Sequence, residues 1–427
     1  MTDAIAIVRM NDHKKTIKSR NIFVKGVSHC MRVVVTVEHR FVRTPDGAVW
    51  TQTMFAYSYW MRYFDVFDEV LVVARIREVP TVSSDWLHAD GERVSFVAIP
   101  YYIGPWQYLL KAAQVQRTAR QAVAANDAVI FYAASQIADC IQPMLLKSGH
   151  PYSVYVIADP YDVFAPGSVK SPLRPFFRWW SPHRLRKHCT AANATAYITE
   201  KALQRRYPPN PGAFITHFSM TELSESTFVS APRCLQLEKR PLILITVASL
   251  AQLYKAPDVL IDAVAVCVQE GLDLKLMVVG DGKYRPELEA RAKTRGLEER
   301  VCFRGQLTAG NAVRTELDRA DVFVLPSHQE GLPRAMVEAM ARALPCIGST
   351  VGGIPELLAA EDLVSPGDVE GLARKIREVV TNPQRMTEMS ARNLETSKQY
   401  RDEIIQKKRI AFYRYVREMT EAWLKQK

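Results

Sequence analysis

Short apolar, β-branched runs alternate with longer amphipathic stretches along most of this chain. MRVVVTV (31–37), DEVLVVAR (68–75), DAVIFYA (127–133), YSVYVIA (152–158) and ATAYIT (194–199) each predict a buried strand. Helical stretches fall between them, as at 107–125, rich in Ala, Gln, Arg and Leu. A second set follows: LILITVA (242–248), LKLMVVG (274–280), RVCFRG (300–305), DVFVLP (321–326) and PCIGS (345–349). Its helices are predicted at about 257–270, 284–296, 310–319 and 333–343. Alternation of this kind makes a parallel sheet with helices on both faces. Two such sets predict an α/β protein of two doubly wound, Rossmann-like domains. Ligands of such sheets bind at the C-terminal ends of the strands, so a central cleft is expected there.

Segments without an apolar period divide the sets. Residues 1–30 read as a basic arm, 31–218 as the first domain, 219–240 as a linker and 241–399 as the second domain. A helix starts at Asn382-Pro383, and 400–427 holds a long amphipathic one. The 427 residues, 48% hydrophobic and 24% charged, suffice for two cores. No apolar run reaches ~18 residues, so no membrane-spanning helix is expected. The N-terminal sequence lacks a signal-peptide core, which predicts a cytoplasmic protein. Seven scattered cysteines without a CxxC predict reduced thiols and no zinc site.

The net charge of +11 is unevenly spread. Residues 9–43 hold nine Lys/Arg against Asp12 and Glu38; residues 171–215 hold eight against Glu200 alone. Within the second patch, RPFFRWWSPHRLRKH (174–188) interleaves cations with Phe176, Phe177, Trp179 and Trp180. That mixture suits the inner face of an anionic membrane, and it equally suits a helix whose aromatics face the core. No nucleic-acid module signature accompanies it, and no nucleic-acid partner is expected.

The most chemically informative stretch is EGLPRAMVEAMARALPCIGSTVGGIPEL (330–357). The strand at 321–327 leads into Glu330, and Pro333 suits the first turn of the next helix. Glu330 then lies in a strand-to-helix loop and Glu338 within the helix. Both carboxylates converge on a helix N-terminus, where free N–H groups favour an anion. Carboxylates accept sugar hydroxyls and N–H groups hold phosphate, so the pattern suits a sugar attached to a phosphate.

From about 242 to 380 the chain resembles the retaining GT-B glycosyltransferases of family 4, whose signature is Glu-x7-Glu. It stands here as Glu330-Gly331-Leu332-Pro333 through Glu338-Ala339-Met340, followed by Gly352-Gly353-Ile354-Pro355-Glu356. The resemblance implies a GT-B fold whose last helix crosses back to the first domain. It implies transfer of a sugar from a nucleotide diphosphate sugar, UDP- or GDP-linked, to an acceptor hydroxyl. Polysaccharide, glycolipid or glycoconjugate assembly is the expected setting, with a saccharide or lipid-linked acceptor. Substitution on one face, with the leaving phosphate deprotonating the acceptor, would need no protein nucleophile. No Asp-x-Asp stands in a glycine-flanked loop, so neither a metal nor another cofactor is implied.

By the same resemblance, Glu330 would hold the sugar ring opposite the leaving group, and Glu338 would take the ribose hydroxyls. Lys255, in the loop SLAQLYKAPDVL, would offset pyrophosphate charge. The family's arginine position in that loop is Ser249, so that charge would be met by a neighbouring arginine or by the first domain. Arg40 and Arg43 follow the first strand and are candidates, in a loop that lacks the family's glycines. The backbone of Gly331 and Leu332 would touch sugar or phosphate. Arg304-Gly305-Gln306-Leu307 would face the base, with Leu307 packed on it.

Other residues remain open in the sequence. Gly280-Asp281-Gly282 and Gly352-Gly353 each suit either a backbone approach to ligand or a tight turn. Asp159 ends strand 152–158 and suits either an acceptor contact or base, or a cap before Pro160. His39 and His183 have no marked partner, and Trp60 and Tyr63 read as core. Other GT-B enzymes, such as an epimerase or a phosphorylase, and a non-catalytic nucleotide- or membrane-binding module are the rival readings.

Overall fold

The computed structural model describes residues 30–165, 171–233, 241–308 and 310–427. Residues 1–29 of the basic arm and 234–240 of the expected linker, with Cys234, lie outside the described residues.

Two sheets organise the body from Met31 onward. The first contains β1 (Arg32–Arg43), β2 (Val49–Thr51), β3 (Glu69–Glu78), β4 (Leu87–His88), β5 (Val94–Ile99), β6 (Ala128–Ala133), β7 (Ser153–Val156), β8 (Ala194–Tyr197) and β9 (Phe214–His217). Seven of them run parallel in the order β5-β3-β1-β6-β7-β8-β9. β2 and β4 add an antiparallel flap on the outer end of β1.

The second sheet contains β10 (Leu242–Val247), β11 (Leu274–Val279), β12 (Val301–Gly305), β13 (Val322–Leu325), β14 (Cys346–Ser349) and β15 (Leu363–Val364). Its order is β12-β11-β10-β13-β14-β15, all parallel. In each sheet the connections reverse direction beside the first strand. The reversal leaves a crevice between β1 and β6 in one sheet, and between β10 and β13 in the other.

β1 is longer than its apolar run. Its pairing with β3 slips between Thr36 and Arg40, so Glu38 and His39 sit at an irregularity inside one continuous strand. β1 carries two more residues than β3 across this point, and such an irregularity bends the strand, here beside the crevice. The aromatic segment after the flap forms only a short helix, Tyr57–Trp60, and one 3-10 turn, Met61–Tyr63. Trp60 and Tyr63 are wholly buried core.

The C-terminal helix Asp402–Leu424 lies against the first sheet's half of the molecule. Tyr413 stacks on Tyr63 at 4.4 Å between ring centroids, and Tyr415 stacks on Phe214 at 4.8 Å. Buried Arg409 pairs with Glu222 on the same face. This helix therefore fastens the end of the chain to the domain in which it began.

Candidate active site

The loops after β10 and β13 flank the second crevice, and they bring Lys255 and Glu330 together. Lys255 Nζ donates to Glu330 Oε1 at 2.8 Å, and Ser327 Oγ donates to the same oxygen at 2.9 Å. Ser349 Oγ, on β14, donates to the Ser327 carbonyl at 2.6 Å and steadies that loop. The His328 amide donates to the Tyr254 carbonyl at 2.7 Å, so the two loops are joined by backbone as well. The Lys255 and Glu330 side chains are 15% and 7% exposed, which strengthens their attraction relative to a surface pair.

The helix begins one residue later than its sequence pattern suggests. It spans Arg334–Ala341, and Pro333 is the residue before it, in an extended conformation. Pro333 supplies the carbonyl for the amides of Met336 and Val337. The amides of Gly331, Leu332, Arg334 and Ala335 have no acceptor among the described residues. They form a cluster of donors where an anion is favoured. Leu332's side chain is buried in the core, so only its backbone is available. Glu338 is half-buried in the helix. Burial raises its carboxyl above the ordinary range, against the pull of Arg334 and Arg314.

Glycines hold this loop in place. Gly352 has φ +54°, and any Cβ there would lie inside contact distance of the Glu330 carbonyl oxygen. The Gly353 amide donates to the Gly331 carbonyl at 2.6 Å. The close approach at Gly352-Gly353 is thus to the Glu330 loop itself. Gly282 has φ +155°, and a Cβ there would meet the backbone of Leu250 and Ala251. The Gly280-Asp281-Gly282 turn therefore packs on the Lys255 loop.

Several expected ligand contacts are engaged elsewhere. Asp281 receives the Gly282 amide at 2.7 Å and pairs with Arg285 at 2.9 Å, which closes the turn. Arg304 pairs with buried Glu316 at 2.7 Å, and the Gly305 carbonyl accepts from the Gly280 amide at 2.8 Å. Of that segment, Leu307 is half-buried at the edge of the core. Ser249 is exposed and makes a local turn with the Ala251 amide at 3.4 Å. Arg43 pairs with Glu78 at 2.6 Å, on the flap end of β1.

Asp159 caps the turn at Pro160. Its carboxylate accepts from the Tyr161 amide at 2.9 Å, from the Tyr207 hydroxyl and from Arg206, and it is 7% exposed. Those partners occupy its oxygens and hold the turn at Pro160. His183 is exposed and stacks on Trp179 at 5.9 Å. His39 lines a cavity of about 490 Å³ in the first crevice, with Glu38, Ser135, Ile157 and Ala158. Burial, then Arg40 and Arg75, push its imidazole down to about 4, so it is neutral at physiological pH.

The two crevices face each other. A Cβ on Gly331 would stand 3.2 Å from the Ile157 carbonyl, at the end of β7. Glu356 accepts from the amides of Glu200 and Lys201 at 2.6 and 2.9 Å, just beyond β8. Glu38 receives Ser135 Oγ at 3.0 Å and pairs with Arg75 at 3.0 Å across the first crevice. Sequence alone left Ser327, Glu38, Asp139 and Glu356 without a role. The available signals were that Ser327 ends the DVFVLPS run and that Glu38 is an acid at the end of an apolar strand.

Residues 241–382 match the family model described as Glycosyl transferases group 1. Protein CapJ of Staphylococcus aureus is 26% identical over 365 residues, covering 84% of this chain and 86% of that protein. The chain resembles the GT-B glycosyltransferases. The putative colanic acid biosynthesis glycosyltransferase WcaL of Escherichia coli K12 is 32% identical over 155 residues. That match spans only 34% of this chain and 38% of WcaL. Among solved structures, sucrose-phosphate synthase from Thermosynechococcus elongatus aligns with a TM-score of 0.64 at 16% identity. It covers 90% of this chain and 99% of the synthase, so the fold is GT-B, with two Rossmann-like domains facing a cleft. The group 1 match contains the whole Lys255–Glu330–Glu338 constellation.

Proposed function

We propose that the protein is a retaining glycosyltransferase that moves a sugar from a UDP- or GDP-sugar to an acceptor hydroxyl in polysaccharide or glycolipid assembly. The observation that carries this reading is the convergence of Lys255, Glu330 and the free amides around Gly331 at the second crevice. WcaL, named for colanic acid biosynthesis, supports a polysaccharide setting.

In this reading the amides of Gly331, Leu332, Arg334 and Ala335 and the Lys255 ammonium stabilise charge growing on the leaving pyrophosphate. Glu330, fixed by Ser327, holds the sugar ring. Glu338 accepts from the ribose hydroxyls, and Leu307 packs on the base. Arg334, exposed in the first turn of the same helix, contributes the cation that Ser249 lacks. The leaving phosphate takes the acceptor proton as the acceptor oxygen attacks on the same face. No metal or other cofactor takes part.

A thermal-shift screen against UDP, GDP and their sugars tests the donor half. At ~100 times Kd, binding should stabilise by ~2.7 kcal/mol. Absence of any shift would overturn the reading. Retention is tested by the anomeric configuration of the product in NMR spectra, and metal independence by full activity in chelator.

A further inference from the structure

We infer that the acceptor is a membrane lipid with a saccharide head, whose hydrocarbon chain lies in the groove between helices Gly104–Gln121 and Arg174–Ala191. This rests on the glycosyltransferase reading and names the acceptor class for it.

The groove has a volume of about 1460 Å³. That exceeds the ~300–1,000 Å³ of a site for a compact ligand. Tyr102, Pro105, Leu109, Ala113, Phe176 and Trp180 wall it. These apolar walls suit hydrocarbon, and Gln116, Gln142 and Lys187 add polar groups to the same lining.

The groove does not end blindly. It shares Glu38, Gln136, Asp139, Arg184 and His188, and with them Phe164, Phe177 and Trp180, with the 490 Å³ cavity of the first crevice. The five polar residues supply the hydrogen-bonding groups of this neck. Asp139 pairs with Arg184 and, at 2.9 Å, with His188 Nε2. His188 is 3% exposed, and its Nδ1 has no hydrogen-bond partner among the described residues. Beyond the neck the cavity reaches Ile157, whose carbonyl faces Gly331 of the donor loop. Apolar groove, polar neck and donor loop follow the order of parts in a glycolipid.

The rim of the groove carries the surface needed to reach a bilayer. Trp106, Leu110 and Trp179 are 72%, 88% and 65% exposed. Neither helix contains an Asp or Glu, while they carry three and five Lys/Arg. Exposed aromatics and leucines with cations and no carboxylates complement an anionic lipid surface. No described helix is long and apolar enough to cross a membrane, so the contact is made from the surface.

Flotation with vesicles of phosphatidylcholine and phosphatidylglycerol, about two to one, tests the rim, with phosphatidylcholine alone as the neutral control. The protein should float with the anionic vesicles, weakly with the neutral ones, and less in high salt. Leu110→Glu and Trp179→Glu alter exposed positions and should each weaken flotation about tenfold or more. Dodecyl maltoside below its micelle concentration, against maltose, tests the groove. The alkyl glycoside should bind at least about tenfold tighter, and Ala113→Trp should remove the difference. Equal binding of the two probes, or flotation indifferent to anionic lipid and to both glutamate variants, would overturn the inference. Thermal shift of each variant with UDP or GDP is read in parallel. Its loss in the parent protein would sink the donor reading instead.

Discussion

Lys255 Nζ lies 2.8 Å from Glu330 Oε1, across the crevice between β10 and β13. On the proposed reading, the cation assigned to pyrophosphate is thus held, before any donor arrives, by the carboxylate assigned to the sugar. Donor binding has to share Lys255 between the two anions. Lys255→Ala should lower kcat/KM for transfer by ~10²–10³, the scale of one lost charge-stabilising donor. It should also destabilise the free protein, because Glu330 is left buried beside only Ser327. Glu330→Gln should restore part of that stability in the double variant. A double-mutant cycle by chemical denaturation should give a coupling of ~0.5–3 kcal/mol. Additive effects would show that the pair does not act as a unit.

Glu338 bears a carboxyl raised by burial. Such a group binds its proton better in the folded chain than in the unfolded one. Its contribution favours folding at pH below the ordinary carboxylate range, and is lost as pH rises through the raised value. At neutral pH its charge is therefore a burden on the fold. Glu338→Gln should raise Tm at neutral pH, and the gain should vanish on acidification. The same variant should weaken donor binding by about 1.5–3 kcal/mol if the carboxylate accepts ribose hydroxyls. Calorimetry at matched pH reads both, and an unchanged donor affinity would remove Glu338 from the site.

Gly352→Ala tests whether the second glycine pair positions the first glutamate. The new methyl would clash with the Glu330 carbonyl oxygen, at a backbone conformation that disfavours side chains. Overpacking of this kind costs roughly 1–3 kcal/mol. Displacing a positioning group by about 1 Å can cost about 10²-fold in rate. The expected signature is a modest fall in Tm with a much larger fall in kcat. Loss of stability with full activity in the surviving folded fraction would mean that Gly352 supports the fold alone.

His39 predicts an acid limit to stability. Its ring nitrogen meets Thr51 Oγ1 at 2.9 Å, Arg40 and Arg75 are nearby, and burial dominates the shift to about 4. The unfolded chain takes up this proton near pH ~6.5. The group's contribution is fully present above that pH and is lost as pH falls toward 4. Its upper bound is ~3 kcal/mol, from ~1.36 kcal/mol per pH unit. His39→Gln should flatten the pH dependence of Tm between about 4 and 6.5. An unchanged slope would assign acid sensitivity elsewhere.

The strands that were legible from sequence are those buried on both faces, such as DAVIFYA and DVFVLP, whose apolar runs are continuous. β9, FITH, is only half-buried along its length, and β2 and β4 are two or three residues long, so no run marks them. β1 looked shorter than it is because Glu38-His39-Arg40 interrupts its apolar pattern at the irregularity that lines the cleft. The loop and helix around Glu330 were legible because spacing within one strand–helix unit is local. Arg43 and Asp159 were not, since Glu78 and Tyr207 are distant in sequence, and partners of that kind decide whether a charge is free. The same limit hid Glu38, whose partners are Arg75 on β3 and Ser135, the cap of the helix after β6.

Glu356 shows what such long-range partners can do. It ends the Gly352–Glu356 run on the second domain, yet its carboxylate accepts the amides of Glu200, Lys201 and Ala202 on the first, at 2.6, 2.9 and 2.5 Å. Those amides open the short helix Ala202–Arg206, so the glutamate caps it across the cleft. The contact spans the cleft between the two sheets, and breaking it releases three amides and one carboxylate at once. Glu356→Ala should lower Tm by the equivalent of ~0.5–2 kcal/mol, with Glu356→Gln in between because its amide oxygen still accepts. It should also enlarge the radius of gyration in small-angle scattering without donor, and a donor should reverse part of that change. If the alanine variant lowers Tm but scatters as the parent does, Glu356 is a cap and does not hold the cleft closed.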